Sequence, residues 1–398
     1  MVVSNEGGIY LEKTCPEHGL VSTLIWEDSA NNYINWLKNG GIDINNLAQS
    51  KKQAEQLFSL DDIIAKKQNP VSAALMTTTK CNANCPVCFT NTNLTYTPTL
   101  VACEKMLDDY IKQVGVGAPI EFCGGEPTTR DDLIELSQLA RKKGFNYIQL
   151  NTNGFKIAKS LEYTVSLKKA GITTIYLGFD GFKVQSYIDK YGDDVLNLKL
   201  EAIKNCKEAG LAVVLVPCLV SNSNDDQLGE IIEFAKKNMP TVKGIYIQPI
   251  SYFGKYPAHE RIRLTIPKIL KLIDKQTEGE IKVEHFQPGA LEHPQCSFNG
   301  YFMLDNNNKL KAFTRFGTIR TQAPTAIKNQ MLTKKMWLPS NIMGLSIGGM
   351  AFQDIWNIDY YRLSKCTIQI IRKDGSLIPL CAKYVTNDEG EKLFEGIN

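Results

Sequence analysis

Six short apolar stretches alternate with longer amphipathic stretches between residues 71 and 250. The apolar stretches have the length and the β-prone composition of buried strands. They lie at residues 71–79, 118–127, 145–154, 173–181, 211–220 and 242–250. The amphipathic stretches place apolar residues three and four positions apart, and several end in glycine, which is typical of helices. They lie at residues 101–115, 131–144, 157–171, 194–210 and 225–238.

This alternation of strands and helices predicts an α/β fold built on a parallel sheet with right-handed crossovers. Six strand–helix units are fewer than the eight of a closed barrel, so we predict a partial (β/α)6 barrel. In such folds the functional site lies at the carboxyl ends of the strands. The polar residues at those predicted ends are residues 81–88, 124–127 and 151–153, Asp180 and Gln248.

Composition and charge exclude several classes of protein. With 43% hydrophobic and 22% charged residues, the chain of 398 residues has an ordinary globular composition. It carries 45 basic and 42 acidic residues without a basic run, so nucleic-acid binding has no support. Because the amino terminus has no apolar signal core and the longest apolar stretches are half as long as a membrane span, we expect a cytoplasmic protein without a transmembrane segment. Eleven cysteines in such a chain indicate metal binding or redox chemistry rather than disulfides.

Three cysteines, Cys81, Cys85 and Cys88, lie within eight positions, and Asn82 and Pro86 between them favour a loop. Iron–sulfur clusters are held by cysteine thiolates, normally four for a four-iron cube. Three thiolates leave one iron without a protein ligand, and an open position on a metal centre is where a small molecule binds. Zinc held by these thiolates and one further ligand is an alternative, whereas buried structural thiols fit a polar loop poorly.

Two glycines and an acid end the second predicted strand, in the order Gly124, Gly125, Glu126 and Pro127. Glycines let the backbone approach a ligand closely, and the Glu126 carboxylate can accept a hydrogen bond from a cationic amine. Alone, this motif would be a weak turn signal. One strand after the three-cysteine loop, it strongly indicates a functional site.

The spacing C-x3-C-x2-C followed by an aromatic residue, formed here by Cys81, Cys85, Cys88 and Phe89, resembles the hallmark of the radical S-adenosylmethionine (SAM) superfamily. The resemblance implies a [4Fe–4S] cluster whose unique iron is chelated by SAM. It also implies reductive cleavage of SAM to methionine and a 5′-deoxyadenosyl radical, hydrogen abstraction from an unactivated C–H bond, and an electron donor such as flavodoxin or ferredoxin.

The resemblance also implies roles for residues at the strand ends. Gly124, Gly125 and Glu126 match the superfamily motif for the SAM amino group, with Pro127 completing the turn. The superfamily places ribose and carboxylate contacts of SAM where this chain has Thr152, Asn153 and Asp180.

Residues 10–19, 291–316, 343–366 and 374–385 are similar to one branch of the superfamily, which contains archaeal tetraether lipid synthases and 7,8-dihydropterin methyltransferase-like proteins. In that branch the ends of the chain bind further iron, as auxiliary [4Fe–4S] clusters and in some members as a rubredoxin-like site. The resemblance divides the chain into an amino-terminal cap with a helical connector (1–70), a radical SAM partial barrel (71–285) and a carboxyl-terminal extension (286–398).

The chain departs from that branch at several cysteine and histidine positions. Only Cys15 remains of the amino-terminal set, so this segment alone cannot form a four-thiolate iron site. Leu291 stands where the branch has a second cysteine, and Gln369 stands where it has a histidine. The cysteines left in the last third are Cys296, Cys366 and Cys381. They either hold one auxiliary cluster, with an open iron or a fourth ligand such as His293, or are buried thiols.

The other cysteines are better explained by packing. Cys103 and Cys206 fall in amphipathic helices and Cys218 in an apolar strand, so we expect all three in the core. Cys123 ends a strand, where it either packs in the core or faces the site.

Three functions are compatible with these features. The first is C–C bond formation on a lipid or other apolar substrate, for which residues 336–352 could line a channel with Met336, Met343 and Met350, although core packing is favoured for them. With a lipid substrate the protein would act at a membrane surface. The second is radical methyl transfer to a pterin-like heterocycle, with one SAM as methyl source and another as radical source. The third is a non-catalytic zinc- or cluster-binding protein.

Overall fold

The computed structural model describes residues 2–16, 19–54, 70, 72–90, 96–256, 261–289, 291–317, 334–387 and 390–394. A small antiparallel sheet opens the chain, with β1 (Val2–Asn5), β2 (Gly8–Cys15) and β3 (Gly19–Trp26) in that order. Two helices follow, α1 (Ala30–Asn39) and α2 (Ile44–Ala54). Helix α1 begins where the Ser29 side chain accepts a hydrogen bond from the Asn32 N–H, which satisfies one of its free amides.

Six parallel strands form the centre of the molecule and confirm the predicted partial barrel. They are β4 (Ser72–Thr78), β5 (Ile120–Gly124), β6 (Ile148–Thr152), β7 (Thr174–Gly178), β8 (Ala212–Val216) and, after the two-residue β9 (Cys218–Leu219), β10 (Val242–Pro249). Each of the six pairs in parallel with the next in that order. Their side chains are almost all buried because helices cover the sheet.

The helices that connect these strands lie where the amphipathic stretches predicted them, with two differences. They are α3 (Leu100–Val114), α4 (Leu133–Lys142), α5 (Phe155–Lys159), α6 (Leu161–Ala170), α7 (Val184–Tyr191), α8 (Leu196–Ala209) and α9 (Leu228–Lys237). The predicted stretch 157–171 is divided, because Ser160 adopts an extended conformation and caps α6 through the Tyr163 N–H. Helix α7 was not predicted.

The carboxyl-terminal third continues the same sheet. After α10 (Ile266–Gln276) come β11 (Gln287–Pro288), β12 (Ser297–Leu304), β13 (Leu310–Ala312), β14 (Gly344–Met350), α11 (Tyr360–Ser364), β15 (Ile368–Ile371), β16 (Leu377–Pro379) and α12 (Leu380–Tyr384). Strand β14 pairs in parallel with β10, and β15 pairs in parallel with β4. The extension therefore adds one parallel strand to each edge of the six-stranded core, and β12 and β16 then pair antiparallel outside them.

The amino-terminal residues pack against this extension. The Trp26 ring lies 5.6 Å from Tyr33 and 5.5 Å from Trp36, centroid to centroid. The indole N–H of Trp36 donates to the Pro294 carbonyl at 2.7 Å. These contacts fix the loop that precedes β12. No helix among the described residues is long and apolar enough to cross a membrane.

Candidate active site

The ends of β4 and β5 hold the cysteine loop beside the glycine motif. Gly124 has φ 147°, and a Cβ there would collide with the Thr78 carbonyl. The Gly125 N–H donates to Thr78 O at 2.8 Å, and the Glu126 N–H donates to Lys80 O at 2.8 Å. Only glycine permits this approach. The motif therefore fixes the residues that lead into Cys81.

Glu126 joins the ends of β5 and β6. Its side chain is buried, with 1% of its surface exposed. Oε1 accepts hydrogen bonds from the Thr128 N–H at 3.0 Å and from the Thr128 and Thr152 hydroxyls, each at 2.7 Å. Oε2 accepts from the Asn153 N–H at 2.7 Å. A carboxylate has about four acceptor sites, so Glu126 mainly anchors these strand ends and keeps little capacity for an external amine.

The three cysteines of the loop lie at the mouth of the barrel. Cys81 is exposed, and Cys85 and Cys88 are partly buried. Burial raises the pKa of Cys85 to about 11, opposed by the nearby Lys190 ammonium. Among the described residues no three histidine, cysteine, aspartate or glutamate side chains stand at metal-ligand spacing. The three neighbouring thiols nevertheless suit a cluster that releases their protons and draws them together.

Phe89 separates the cysteine loop from the barrel interior. Its ring lies 5.2 Å from Tyr384 and 6.1 Å from both Phe253 and Phe352. It also lines the cavity inside the barrel. The aromatic residue after the third cysteine is thus part of the cavity wall nearest the loop.

Asp180, the partly buried Lys190 and the buried Lys199 form the charged part of the barrel mouth. The Asp180 carboxylate accepts from Lys190 Nζ at 2.7 and 2.8 Å and from the Cys218 N–H at 2.7 Å. The Lys199 side chain is completely buried, and its Nζ donates to Asn153 O at 2.7 Å. Burial lowers the pKa of Lys199 to about 7. Asp180 is therefore already paired, while the Lys199 amine near Glu126 titrates around neutral pH, and an anionic ligand would favour its protonated form.

The two lysines were not predicted from the sequence. A signal for Lys199 was present, because it shares the buried face of α8 with Ala202, Ile203 and Cys206 at helical spacing. Lys190 belongs to the unpredicted helix α7.

A groove of about 650 Å³ runs past the outer side of the cysteine loop. Pro86 and Val87 of the loop form one wall, and Val220, Ile250 and Tyr252 contribute apolar surface opposite. Polar side chains at residues 221–224 complete it. The groove has the mixed apolar and polar character of a small-molecule site.

A second cavity of about 120 Å³ lies inside the barrel, below Phe89. At one end the Lys334 ammonium contacts the Glu121 carboxylate at 2.9 Å and Gln149 Oε1 at 3.3 Å. Burial raises the pKa of Glu121, but the attraction of Lys334 together with hydrogen bonds from Ser72, Lys334 and Asn151 outweighs burial, so the pKa lies below its ordinary value. Asn151 donates to Glu121 across this end at 3.4 Å. The cavity therefore has a charged, hydrogen-bonding floor.

Aromatic rings form the side walls of this barrel cavity. Tyr176, Tyr246 and Trp337 lie within 5.7–6.0 Å of one another, centroid to centroid. The Trp337 carbonyl accepts a hydrogen bond from the Thr174 hydroxyl at 2.8 Å. Because Thr174 begins β7, the segment from Lys334 to Trp337 closes the amino-terminal end of the barrel.

Cys296, Cys366 and Cys381 come together from opposite ends of the sheet, since Cys296 precedes β12 and the other two flank β15 and β16. They surround a space of about 20 Å³ that Glu292, His293 and Arg362 also line. Burial raises the pKa of Cys381 to about 12. The space is about that of one or two water molecules, so a cluster here requires the thiols to move apart. Glu292 also lines the barrel cavity, which makes the two sites neighbours.

The remaining sequence expectations have mixed outcomes. Cys103 and Cys206 are completely buried, as expected. The expectation of core packing is wrong for Cys218, which is partly exposed and lines the groove, because Pro217 separates it from the buried β8. The Cys123 thiol packs against Leu75 O and Met76 Sδ, at 3.6 and 3.5 Å.

In the segment 336–352, residues 344–350 form strand β14 and the other residues are turns or loop. Met350 ends the fully buried strand β14 and lines the barrel cavity, while Met343 is 36% exposed and Met336 packs beside Gly344. No continuous methionine channel is formed by these three side chains. In the amino-terminal sheet Cys15 pairs across to Gly19, and His18 lies outside the described residues.

A parallel partial barrel with a three-cysteine loop and a Gly-Gly-Glu turn at its mouth defines a class of enzyme that generates radicals from SAM. The model of the "Radical SAM superfamily" matches residues 75–235. The 7,8-dihydro-6-hydroxymethylpterin dimethyltransferase of Methanocaldococcus jannaschii is 31% identical, over 96% of this chain and 89% of that relative. The chain belongs to the radical SAM superfamily and is a radical SAM enzyme, whose cofactors are a [4Fe–4S] cluster and SAM.

Other similarities are partial. The model of the "HMPTM N-terminal zinc ribbon domain" matches residues 1–27. The GTP 3′,8-cyclase of Nautilia profundicola is 27% identical over 49% of this chain and 61% of that relative. The structure of Streptococcus suis SuiB bound to S-adenosylmethionine aligns with a TM-score of 0.43 and 16% identity, covering 69% of each chain.

Proposed function

We propose that this radical SAM enzyme transfers a methyl group to a compact, planar nitrogen heterocycle of the pterin class. The observation that carries the proposal is the barrel cavity, which combines the charged floor of Glu121 and Lys334 with walls of Tyr176, Tyr246 and Trp337. The similarity to the Methanocaldococcus pterin dimethyltransferase over nearly the whole chain supports the same substrate class.

The polar floor suits the edge of such a ring system, and the aromatic walls suit its faces. A fused pyrimidine presents neighbouring donors and acceptors along one edge, which Glu121 and the amides of Gln149 and Asn151 can pair. Aromatic walls favour a flat π-system, since offset and edge contacts between rings add to burial. An alkyl chain offers no donor or acceptor to this floor, so it would cover the polar groups of Glu121, Gln149 and Asn151 without adding a hydrogen bond. Lipid C–C bond formation is therefore the alternative outcome of the test.

The residues that would hold the cofactors follow from the geometry at the barrel mouth. Cys81, Cys85 and Cys88 would bind the [4Fe–4S] cluster, and SAM would lie against residues 124–127, Thr152, Asn153 and the groove beside Val87. Lys199 would face the SAM carboxylate. When bound, the reduced cluster and SAM supply a radical that abstracts hydrogen from an unactivated C–H bond. The chain's own contribution is to orient the substrate and exclude water.

Cys296, Cys366 and Cys381 would hold one auxiliary [4Fe–4S] cluster. The support is a buried guanidinium in the same space, since Arg362 Nε has no hydrogen-bond partner among the described residues. The Asp359 carboxylate is one anionic neighbour of this buried cation, and a thiolate-bound cluster would be another. Reconstituted protein should then contain about eight irons per chain, falling to about four when these cysteines become alanine, on the stoichiometry of four-iron cubes.

Substrate binding and turnover test the proposal together. Anaerobically reconstituted enzyme with SAM, a flavodoxin- or ferredoxin-type reductant and a 7,8-dihydropterin should give a product in which a methyl group replaces a hydrogen. Mass spectrometry with an isotope-labelled methyl donor should detect it as a gain of one CH2 unit plus the label. Glu121→Gln should weaken pterin binding by at least about tenfold, or about 1.4 kcal/mol. Glu201→Gln is the control, because Glu201 is a surface residue of α8 paired with Lys204.

Two results would contradict the proposal. One is absence of pterin binding to protein that carries its cluster and makes 5′-deoxyadenosine from SAM. The other is a new C–C bond in lipid acyl chains under the same conditions with no change in the pterin.

A further inference from the structure

Arg362 occupies an unusual position for a charged side chain. It lies in the short helix α11, which Asp359 caps by accepting from the Tyr361 N–H at 2.9 Å. Only 3% of its surface is exposed. Guanidinium groups are rarely buried without paired acceptors, because their hydration is lost. The position therefore needs an explanation from its neighbours.

The neighbours of the guanidinium include cysteine sulfur atoms as well as the Asp359 carboxylate. Nη2 donates to Cys296 Sγ at 3.1 Å, while Nε has no partner among the described residues. Cys366 and Cys381 line the same space. A thiol is a weak acceptor, so this donor set is poorly satisfied by protonated cysteines. It is well matched to thiolates or cluster sulfides, for which the hydrogen bonds are charge-assisted.

The surroundings hold Arg362 in place. Helix α11 packs against helix α2. Helix α2 belongs to the amino-terminal module, which comprises strands β1 to β3 and helices α1 and α2, Val2–Ala54. The same module fixes the Cys296 loop through Trp36 and through the Tyr33 hydroxyl, which lies 3.3 Å from Gln295 Oε1. Both partners of the Arg362–Cys296 contact are thus positioned by residues outside the barrel.

We propose that Arg362 is a positioning residue that donates hydrogen bonds to the sulfur ligands of the auxiliary cluster and makes that cluster easier to reduce. The proposal rests on the auxiliary cluster of the proposed function. Reduction adds negative charge, which a fixed neighbouring cation and hydrogen bonds to sulfur stabilise. Because Glu292, Met350 and Phe352 line both this site and the barrel cavity, the tuned cluster would lie beside the bound substrate.

The test compares Arg362→Gln and Arg362→Lys with wild type in full-length, anaerobically reconstituted protein. Iron and sulfide are counted first, and the midpoint potential of the second cluster is then measured by a redox titration followed by electron paramagnetic resonance. Arg362→Gln should lower the midpoint by at least the equivalent of a tenfold change in the reduction equilibrium, about 59 mV for one electron. Arg362→Lys keeps the charge and should shift it less.

Arg263→Lys is the matched control. Arg263 is partly buried nearby and pairs with Asp354 at 2.8 Å, so its replacement should leave the midpoint unchanged. If Arg362→Gln loses the second cluster, the midpoint potential of the second cluster in Arg362→Lys becomes the test. A midpoint below that of wild type supports the proposal, and a midpoint equal to that of wild type contradicts it.

Three further results would overturn it. The first is an unchanged midpoint potential in Arg362→Gln at full iron content. The second is wild-type protein with only about four irons per chain, the stoichiometry of a single cube. The third is zinc without sulfide at Cys296, Cys366 and Cys381. Production of 5′-deoxyadenosine and binding of pterin are measured on the same samples. Their persistence would show that the radical SAM function stands while the role of Arg362 fails.

Discussion

The Lys334 ammonium lies 2.9 Å from the Glu121 carboxylate, although the two residues are 213 positions apart in the chain. Glu121 belongs to the barrel strand β5, whereas Lys334 comes from the carboxyl-terminal extension. Lys334 Nζ also lies 4.6 Å above the Trp337 ring. The extension therefore supplies half of the charged floor of the substrate cavity as well as strands at the sheet edges.

Replacing Lys334 by methionine should leave the Glu121 carboxylate buried without its cation. Breaking a buried ion pair on one side typically costs about 3–5 kcal/mol, and we expect the free energy of unfolding to fall by about that amount. Urea denaturation at neutral pH measures it. The double variant Glu121→Gln/Lys334→Met should be more stable than Lys334→Met alone.

Lys335→Met is the control for this pair, because the neighbouring Lys335 is exposed and its loss should change stability little. Equal stability of Lys334→Met and wild type would mean that the pair contributes nothing to the fold. The charged floor would then lose its structural basis.

The barrel strands and the cysteine loop could be predicted because local patterns encode them. Short apolar runs specify buried strands, and the spacing of Cys81, Cys85 and Cys88 is chemical information held in eight positions. Lys334 and Arg362 could not be predicted, since each belongs to a segment without strong periodicity. Only tertiary packing brings them to Glu121 and Cys296.

Glu126→Gln should weaken SAM binding by about 1.5–3 kcal/mol, the scale of one hydrogen bond between an anchoring donor of Thr128, Thr152 or Asn153 and the charged carboxylate, without loss of iron. The amide would turn a donor toward groups that already donate to the carboxylate, such as the Thr128 and Asn153 N–H groups. The strand ends should therefore shift. Titration of reconstituted protein with SAM gives the affinity.

Thr128→Val removes one hydroxyl that donates to Glu126 and separates anchoring from direct contact. If Glu126 acts by anchoring, this variant should also weaken SAM binding, although less. Unchanged SAM affinity in Glu126→Gln would refute both roles.

Replacing Cys81, Cys85 and Cys88 by alanine should abolish the radical cluster and the formation of 5′-deoxyadenosine from SAM. The thiolates are the protein's only proposed ligands to that cluster. Iron analysis and chromatography of the SAM products check this. Cys103→Ala and Cys206→Ala are controls, since both thiols are buried in helices of the core. Continued deoxyadenosine formation by the triple variant would disprove the assignment.

Lys199 should make stability depend on pH. Its pKa is lowered by burial to about 7 in the folded protein, against about 10.4 for an ordinary lysine. Below pH 7 Lys199 is protonated in both the folded and the unfolded state, and the folded protein bears the full cost of the buried charge. Between about pH 7 and 10.4 the unfolded chain binds the extra proton, so the free energy of unfolding rises with pH.

Lys199→Met removes this dependence. Relative to wild type, the variant should gain most stability at pH 6, and the gain should shrink by about 3 kcal/mol by pH 9, since one proton contributes up to about 1.4 kcal/mol per pH unit. Denaturation of metal-free protein at both values measures it. Lys204→Met, at an exposed position of the same helix, should show no such trend. A pH-independent difference for Lys199→Met would contradict the lowered pKa.

The amino-terminal module should fold without a metal ion, although residues 1–27 match a zinc ribbon model. Structural zinc takes four protein ligands, and Cys15 is the only cysteine in those residues. Packing of Trp26, Tyr33 and Trp36 holds the module instead. Elemental analysis should therefore find no zinc and no rubredoxin-type iron bound by the amino-terminal module. A chelator should leave the melting of this module unchanged. Cys15→Ser should match wild type in metal content. One zinc or iron per chain that disappears in Cys15→Ser would show that the module still binds metal, with ligands from elsewhere in the chain.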